Sequence, residues 1–275
     1  MIEIERFREI DTEIKSSISK CLYNLRNSFP ESYILFLADA EYKKDFDYDG
    51  TKLNPYLIDN RIDKFKDETR LKFLVTFLNQ YYKFEKGKTK VDDNEERINL
   101  ELMIYSHIWE SKPFLKKLQR LAHLCNGENY DWNVIVDDMG KHNFIRNDIR
   151  VNFQKNNIEI AEIIKKGFHT SLRNAFAHSE YSFDTMNNHN RINLYNYKNE
   201  NWELKFISFD DWTERFVYST LFSYHFLDLV YTSRKEIEND FKKNIFTINH
   251  PSRNNGIQRR DIKYDTENNW FTFQK

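Results

Sequence analysis

The stretch IEIAEIIKKGFHTSLRNAFAHSEYSFD (residues 158–184) decides the reading of this chain. From Ile158 to Ala177 its apolar side chains recur at helical spacing, and from Tyr181 to Asp184 apolar and polar residues alternate as in a strand. A helix followed by a short strand is predicted. Arg173, Asn174 and His178 fall at the junction.

Working outward, the helical period recurs upstream. Residues 3–28 carry Phe7, Ile10, Ile14, Ile18, Leu22 and Leu25 at threes and fours. Pro30 ends that helix or begins the next, and Tyr33 to Ala40 reads as a second one. KKDFDYDGTKLNP (43–55), with Gly50 and Pro55, is the clearest early break. Tyr56 to Phe84 is helical again. EKGKTKVDDNEE (85–96) is a polar connector in which Asp93 or Asn94 can cap a helix running to about Leu124. Pro113 falls inside that helix and predicts a kink or break. Residues 126–157 stay indistinct.

Downstream, Arg191 to Tyr197 and Trp202 to Ser208 alternate on the far side of an Asn-rich turn, MNNHN. Ser208, Asp210 or Asp211 then starts a last long helix carrying Trp212, Phe216, Leu221, Phe222, Phe226, Leu229 and Val230. Beyond Asp240 the chain is polar, with Arg259-Arg260 and a closing WFTF. The expected fold is mainly α, a helical bundle with a small β-hairpin or short strand insertion between the last two long helices. Three parts are expected: a helical extension (1–50), a bundle (51–240) with the insertion near 181–208, and a tail (241–275).

Composition agrees with this class. Six Gly and four Pro in 275 residues are few, which favours helices over a many-stranded sandwich. The net charge of −1 argues against broad coating of nucleic acid, while a local positive patch would suffice for a small RNA-cleaving site. Cys21 and Cys125 have no paired spacing, so neither a disulfide framework nor a cysteine zinc site is supported. No run approaches the roughly 18 apolar residues of a membrane span. A soluble, cytoplasmic protein is expected. No phosphate-binding or dinucleotide glycine motif occurs.

The chemistry sits in Arg173-Asn174-(three residues)-His178. Cleaving RNA without a metal requires a base for the 2′-hydroxyl, an acid for the leaving 5′-oxygen and a cation for the phosphorane. Histidine titrates near neutrality, and arginine presents a charged planar fork to phosphate. Asn174 and His178 are four apart and share a helix face, so the amide can orient the imidazole or hold a phosphate oxygen. Arg173 and His178 lie about 140° apart on an ideal helix. That separation eases if the helix ends near Ala177, or if a second copy faces the first.

The motif, late in a helix of an all-α chain, resembles the HEPN superfamily, whose nuclease members carry R-x(4–6)-H. The resemblance covers roughly residues 155–232. It implies a helical bundle that dimerises through the motif face and metal-independent endonuclease activity on RNA leaving 2′,3′-cyclic phosphates. It further implies no cofactor, a role as a toxin or antiviral abortive-infection effector, and an antitoxin or sensor partner. Some toxins of this family carry tyrosine two residues after the histidine. Here Glu180 holds that position.

Neighbouring residues are secondary candidates. His169, four before Arg173, and Glu180 and Tyr181, just after the helix, are candidates for substrate contact. Lys112, Lys116, Lys117 and Arg120 make one basic helix face, and Lys141, Arg146 and Arg150 another. Either could track an RNA backbone, and a solvated face is the ordinary alternative. The rival to an enzyme is a non-catalytic helical module that uses the motif region to dimerise or to bind a partner or nucleotide.

Overall fold

Helix α1 (Ile4–Ser28) buries Ile10, Ile14, Ile18, Leu22 and Leu25, the spacing at threes and fours placing them on one face. Pro30 begins α2 (Pro30–Leu37), where the first turn has no need of its missing N–H. The computed structural model describes residues 2–44, 54–59, 61–84, 89–186, 189–253 and 255–274. The break at Gly50, with the expected boundary between 1–50 and 51–240, lies outside the described residues. So do 85–88 of the connector and Asn187 and Asn188 of the turn.

The chain is mainly α with small antiparallel sheets. Helices α3 (Arg61–Tyr81), α4 (Glu95–Glu110) and α5 (Lys112–Cys125) follow α2. Asn94 caps α4, its side chain accepting from the Arg97 N–H at 3.0 Å. The one helix expected up to about Leu124 is two. Ser111 is extended and accepts from the Phe114 N–H at 3.4 Å, so Pro113 starts α5 in its first turn. The indistinct 126–157 stretch holds α6, a continuous helix of Lys141–Asn143, a π-helical segment Phe144–Arg150, and Val151–Lys155.

The helix read over Ile158 to Ala177 is also two, α7 (Ile160–Gly167) and α8 (Thr170–Ala177). The cause is tertiary. Helix α9 (Phe209–Phe241) runs so close that a Cβ on Gly167 would lie 3.0 Å from Ser219 Oγ and 3.3 Å from its amide nitrogen. Ser219 Oγ donates to the Gly167 carbonyl at 3.0 Å and accepts from Trp109 Nε1 at 3.1 Å. The chain then leaves the helix at Phe168, which is extended.

Ser208 caps α9, accepting from the Asp211 N–H at 3.1 Å. Helix α9 packs on α1, α3, α4 and α7, and its buried Phe222 and Phe226 meet Phe114 of α5, with Phe226 also against Phe36 of α2. The residues up to Asp49, read as an extension, therefore supply α1 and α2 to the same core.

Two short antiparallel pairs pin the N-terminal half. Of β1 (Ile2–Glu3), β2 (Glu41–Tyr42), β3 (Tyr56–Leu57) and β4 (Lys90–Val91), β1 pairs with β4 and β2 with β3. Between α8 and α9 lie β5 (Tyr181–Asp184), β6 (Arg191–Leu194) and β7 (Phe206–Ser208), an antiparallel sheet with β6 in the centre. The stretch beyond Asp240, read as a polar tail, forms a second three-stranded antiparallel sheet: β8 (Ile245–Ser252), β9 (Gly256–Asp265) and β10 (Trp270–Phe273). Phe246, Ile248 and His250 alternate inward on β8, with Ile262, Tyr264 and Phe271 beside them. The exposed residues between them give the segment its polar average.

Buried charges join these parts. Arg234 of α9 donates to Asp59 at 2.6 Å, to the Leu37 carbonyl at 2.8 Å and to the Asn269 carbonyl at 3.0 Å. Asp59 in turn accepts the Phe271 N–H at 3.0 Å. Lys117 and Arg120, read as a solvated basic face, are buried. Lys117 pairs with Asp67 at 2.6 Å and Asp39 at 2.9 Å, and Arg120 donates to the Asp131 carbonyl at 2.9 Å. Their acidic and carbonyl partners come from other segments, which is why they can be withdrawn from water.

Candidate functional site

The motif helix α8 has eight residues, and both ends are capped by residues singled out in the sequence. His169 is not on the helix face with Arg173. It is the N-cap, with extended backbone, and its Nδ1 accepts from the Ser171 N–H at 3.2 Å. Its own N–H donates to the Tyr105 hydroxyl at 2.8 Å. Burial, with Arg215 and Arg146 nearby, pushes the imidazole down to about 4. A neutral ring whose Nδ1 lone pair caps a helix carries its proton on Nε2.

Arg173 and Asn174 meet directly. Arg173 Nη1 donates to Asn174 Oδ1 at 2.8 Å, and Arg173 Nε and Nη2 both bond Glu110 Oε1. The Asn174 amide thus orients the arginine, and no hydrogen bond joins it to His178 among the described residues. Glu110 is the last residue of α4, and its other oxygen accepts from Lys141 at 3.0 Å. Lys141 also donates to the Asp138 carbonyl at 2.6 Å. Only 15% of the Arg173 side chain and 7% of the Lys141 side chain remain exposed, so this charge cluster is largely withdrawn from water.

Helix α8 stops at Ala177. His178 is the C-cap and Ser179 turns left-handed at φ 56°. The Glu180 N–H reaches back to the Ala175 carbonyl at 2.8 Å and the Ser179 N–H to the Phe176 carbonyl at 3.3 Å. This Schellman closure satisfies the end carbonyls and releases His178 from helical geometry. His178 and Glu180 are exposed, and the His178 imidazole makes no hydrogen bond or ion pair among the described residues. Tyr181 is turned into the packing instead. Its ring meets Phe176 at 5.4 Å and its hydroxyl donates to Asn99 at 3.4 Å.

Two residues beside Arg173 escaped the sequence reading. Glu110 lies 63 residues upstream, and no local pattern marks it. His142, on the first turn of α6, is depressed by burial and by the charges of Arg146 and Arg173. Its one sequence signal is the i, i+4 spacing to Arg146, which belongs to the basic face already noted.

Comparison with protein-family models, with curated proteins and with solved structures finds no match for this chain. Among the described residues, no three His, Cys, Asp or Glu side chains gather as a metal site, and no helix is long and apolar enough to cross a membrane.

Proposed function

We propose that the protein is a metal-independent RNA endonuclease of the HEPN type, built as a helical bundle with the β5–β7 sheet as its insertion. It works as a cytoplasmic homodimer in a toxin or antiviral abortive-infection role. The observation that carries this reading is the layout of α8. One short helix holds Arg173 and Asn174 as a bonded pair, and its cap presents an exposed, unbonded His178.

The chemistry follows from those groups. His178 takes the proton from a ribose 2′-hydroxyl, and the 2′-oxygen attacks the adjacent phosphorus. The 5′-oxygen leaves with a proton given by a protonated His178 imidazole, of the same protomer or of a second copy, giving a 2′,3′-cyclic phosphate and a 5′-hydroxyl. Arg173 stabilises the charge that builds on the phosphorane, held in orientation by Asn174. A second copy of α8 facing the first brings two arginines and two histidines to one cleft.

The test is cleavage of total RNA by wild type and His178→Ala, both in EDTA, with end-group analysis. Cleavage by wild type alone, leaving cyclic phosphates, is expected. Equal cleavage by both proteins removes His178 from the mechanism.

One observation favours a second reading, a non-catalytic module that dimerises or recruits an antitoxin or sensor partner: the Arg173 fork is already occupied by Glu110. Expression separates the two. A nuclease slows host growth and Arg173→Ala relieves it, whereas a module gives no such difference.

A further inference from the structure

Beside α8, the start of α6 concentrates positive charge. Lys141 and Arg146 are on α6, Arg173 is on α8, and Glu110 is the carboxylate bonded directly to the cluster, through Lys141 and Arg173. Asp138 is on the rim, its carboxylate on Lys112 at 2.7 Å and 90% exposed. Arg146 donates from Nη2 to Asn143 at 2.9 Å, but its buried Nε meets no partner among the described residues. The Nδ1 of His142, one helical turn earlier, is likewise buried and unpartnered. Buried polar atoms of this kind occur elsewhere in the chain, including the Nε atoms of Arg70, Arg150 and Arg215, and a bound water or ion is one of the ways they are met.

The backbone around these side chains is also irregular. Phe144–Arg150 is π-helical, and such segments recur at functional sites because they re-aim side chains that a regular helix would place elsewhere. Arg146 lies inside it. After burial, the guanidinium of Arg146 is among the causes that push both His142 and His169 downward, with Glu110 opposing it at His142.

We propose that Arg146 and His142 form, with Arg173, a phosphate-binding subsite that holds one backbone phosphate of the RNA next to the motif helix. Arg146 supplies its free Nε and guanidinium charge, and His142 donates or accepts at Nδ1 according to tautomer. Arg173 turns part of its fork from Glu110 to the same phosphate. Binding would replace carboxylate by phosphate as the partner of the cluster, and it requires the Arg146 and His142 side chains to turn outward, because their Nε and Nδ1 atoms are covered. The identity of the ligand as RNA rests on the ribonuclease reading, while the anion site itself does not.

Inorganic phosphate is the first probe, followed through the ring-proton resonance of His142 in the intact protein, with chloride at equal ionic strength as control. Wild type should show a saturable shift. Arg146→Gln should weaken it about tenfold, the usual scale for a charge-assisted hydrogen bond lost to a bound anion. Arg146→Lys keeps the charge without the planar fork and should fall between them. Thermal melting of each variant establishes that it is folded. If Arg146→Gln does not fold, the Lys variant and the wild-type titration carry the test.

The subsite is overturned if phosphate leaves His142 unmoved, if chloride shifts it equally, or if a folded Arg146 variant binds phosphate as wild type does. RNA kinetics then separate the two claims. Cleavage by wild type with an unchanged KM in Arg146→Gln keeps the ribonuclease reading and removes the subsite. Phosphate binding through Arg146 in a protein that cuts no RNA keeps the subsite and removes the ribonuclease reading.

Discussion

Glu110 holds Arg173 by one edge of its guanidinium: Nε and Nη2 both meet a single carboxylate oxygen, leaving Nη1 to Asn174. An anion approaching Arg173 therefore competes with a carboxylate already in place.

Replacing that carboxylate exposes the competition. Glu110→Gln keeps the shape but removes the charge, and should raise affinity for inorganic phosphate or an uncleavable RNA several-fold, to about tenfold. Isothermal titration checks it. Equal or weaker binding by a folded variant would make Glu110 a residue that positions Arg173 rather than one that competes with its ligand.

The buried Lys117 is expected to matter for stability more than for binding. Lys117→Met leaves Asp67 with Arg70 at 2.9 Å and Asp39 with Arg234 at 3.5 Å, and should cost about 3 kcal/mol, the low end for breaking a buried ion pair from one side, because each carboxylate keeps a second cation. Urea unfolding measures it. A loss below about 1 kcal/mol would mean that Arg70 and Arg234 alone compensate the two carboxylates.

Acid should destabilise the fold through His169. Its native value, about 4, lies below the ordinary 6.5, so between those values the unfolded chain binds a proton that the native ring does not. Stability then falls as pH drops from 6.5 toward 4 and levels off below, by up to about 3 kcal/mol for this one group. His169→Asn keeps an N-cap acceptor without a titrating ring and should flatten that limb of the stability–pH curve. An unchanged slope assigns the acid sensitivity to another group.

At the α7–α9 crossing, Gly167→Ala forces a methyl against Ser219, whose hydroxyl is fixed from both sides. A loss of about 1–3 kcal/mol is expected from overpacking. Chemical denaturation checks it. A neutral result would show that α9 can shift by a few tenths of an ångström at no cost.

Elements defined by local chemistry were legible in the sequence. The buried face of α1 follows from the spacing of its isoleucines, and Asn94 and Ser208 cap where small polar residues precede apolar runs. What escaped was set by distant partners. The break between α7 and α8 falls where Gly167 packs closely on Ser219 and its carbonyl accepts from that hydroxyl, while the apolar pattern runs through it undisturbed. The β8–β10 sheet has period two, and a reading by average polarity misses Phe246, Ile248 and Phe271. For the candidate site, Arg173, Asn174 and His178 were legible as a motif. Glu110 and His142 were not, because packing rather than sequence distance brings them to Arg173.

Arg234 draws its partners from points far apart along the chain: Leu37, Asp59 and Asn269, with Asp59 also engaged by Phe271. A chain emerging from the ribosome gains the first two long before α9 exists and the last only after α9 has been made. Until Asn269 and Phe271 appear, a nascent chain that buried Arg234 would enclose donors and a carboxylate with bonds still unmade. The β8–β10 sheet is therefore part of what closes the core: the full set of bonds around Arg234 waits on residues made after α9.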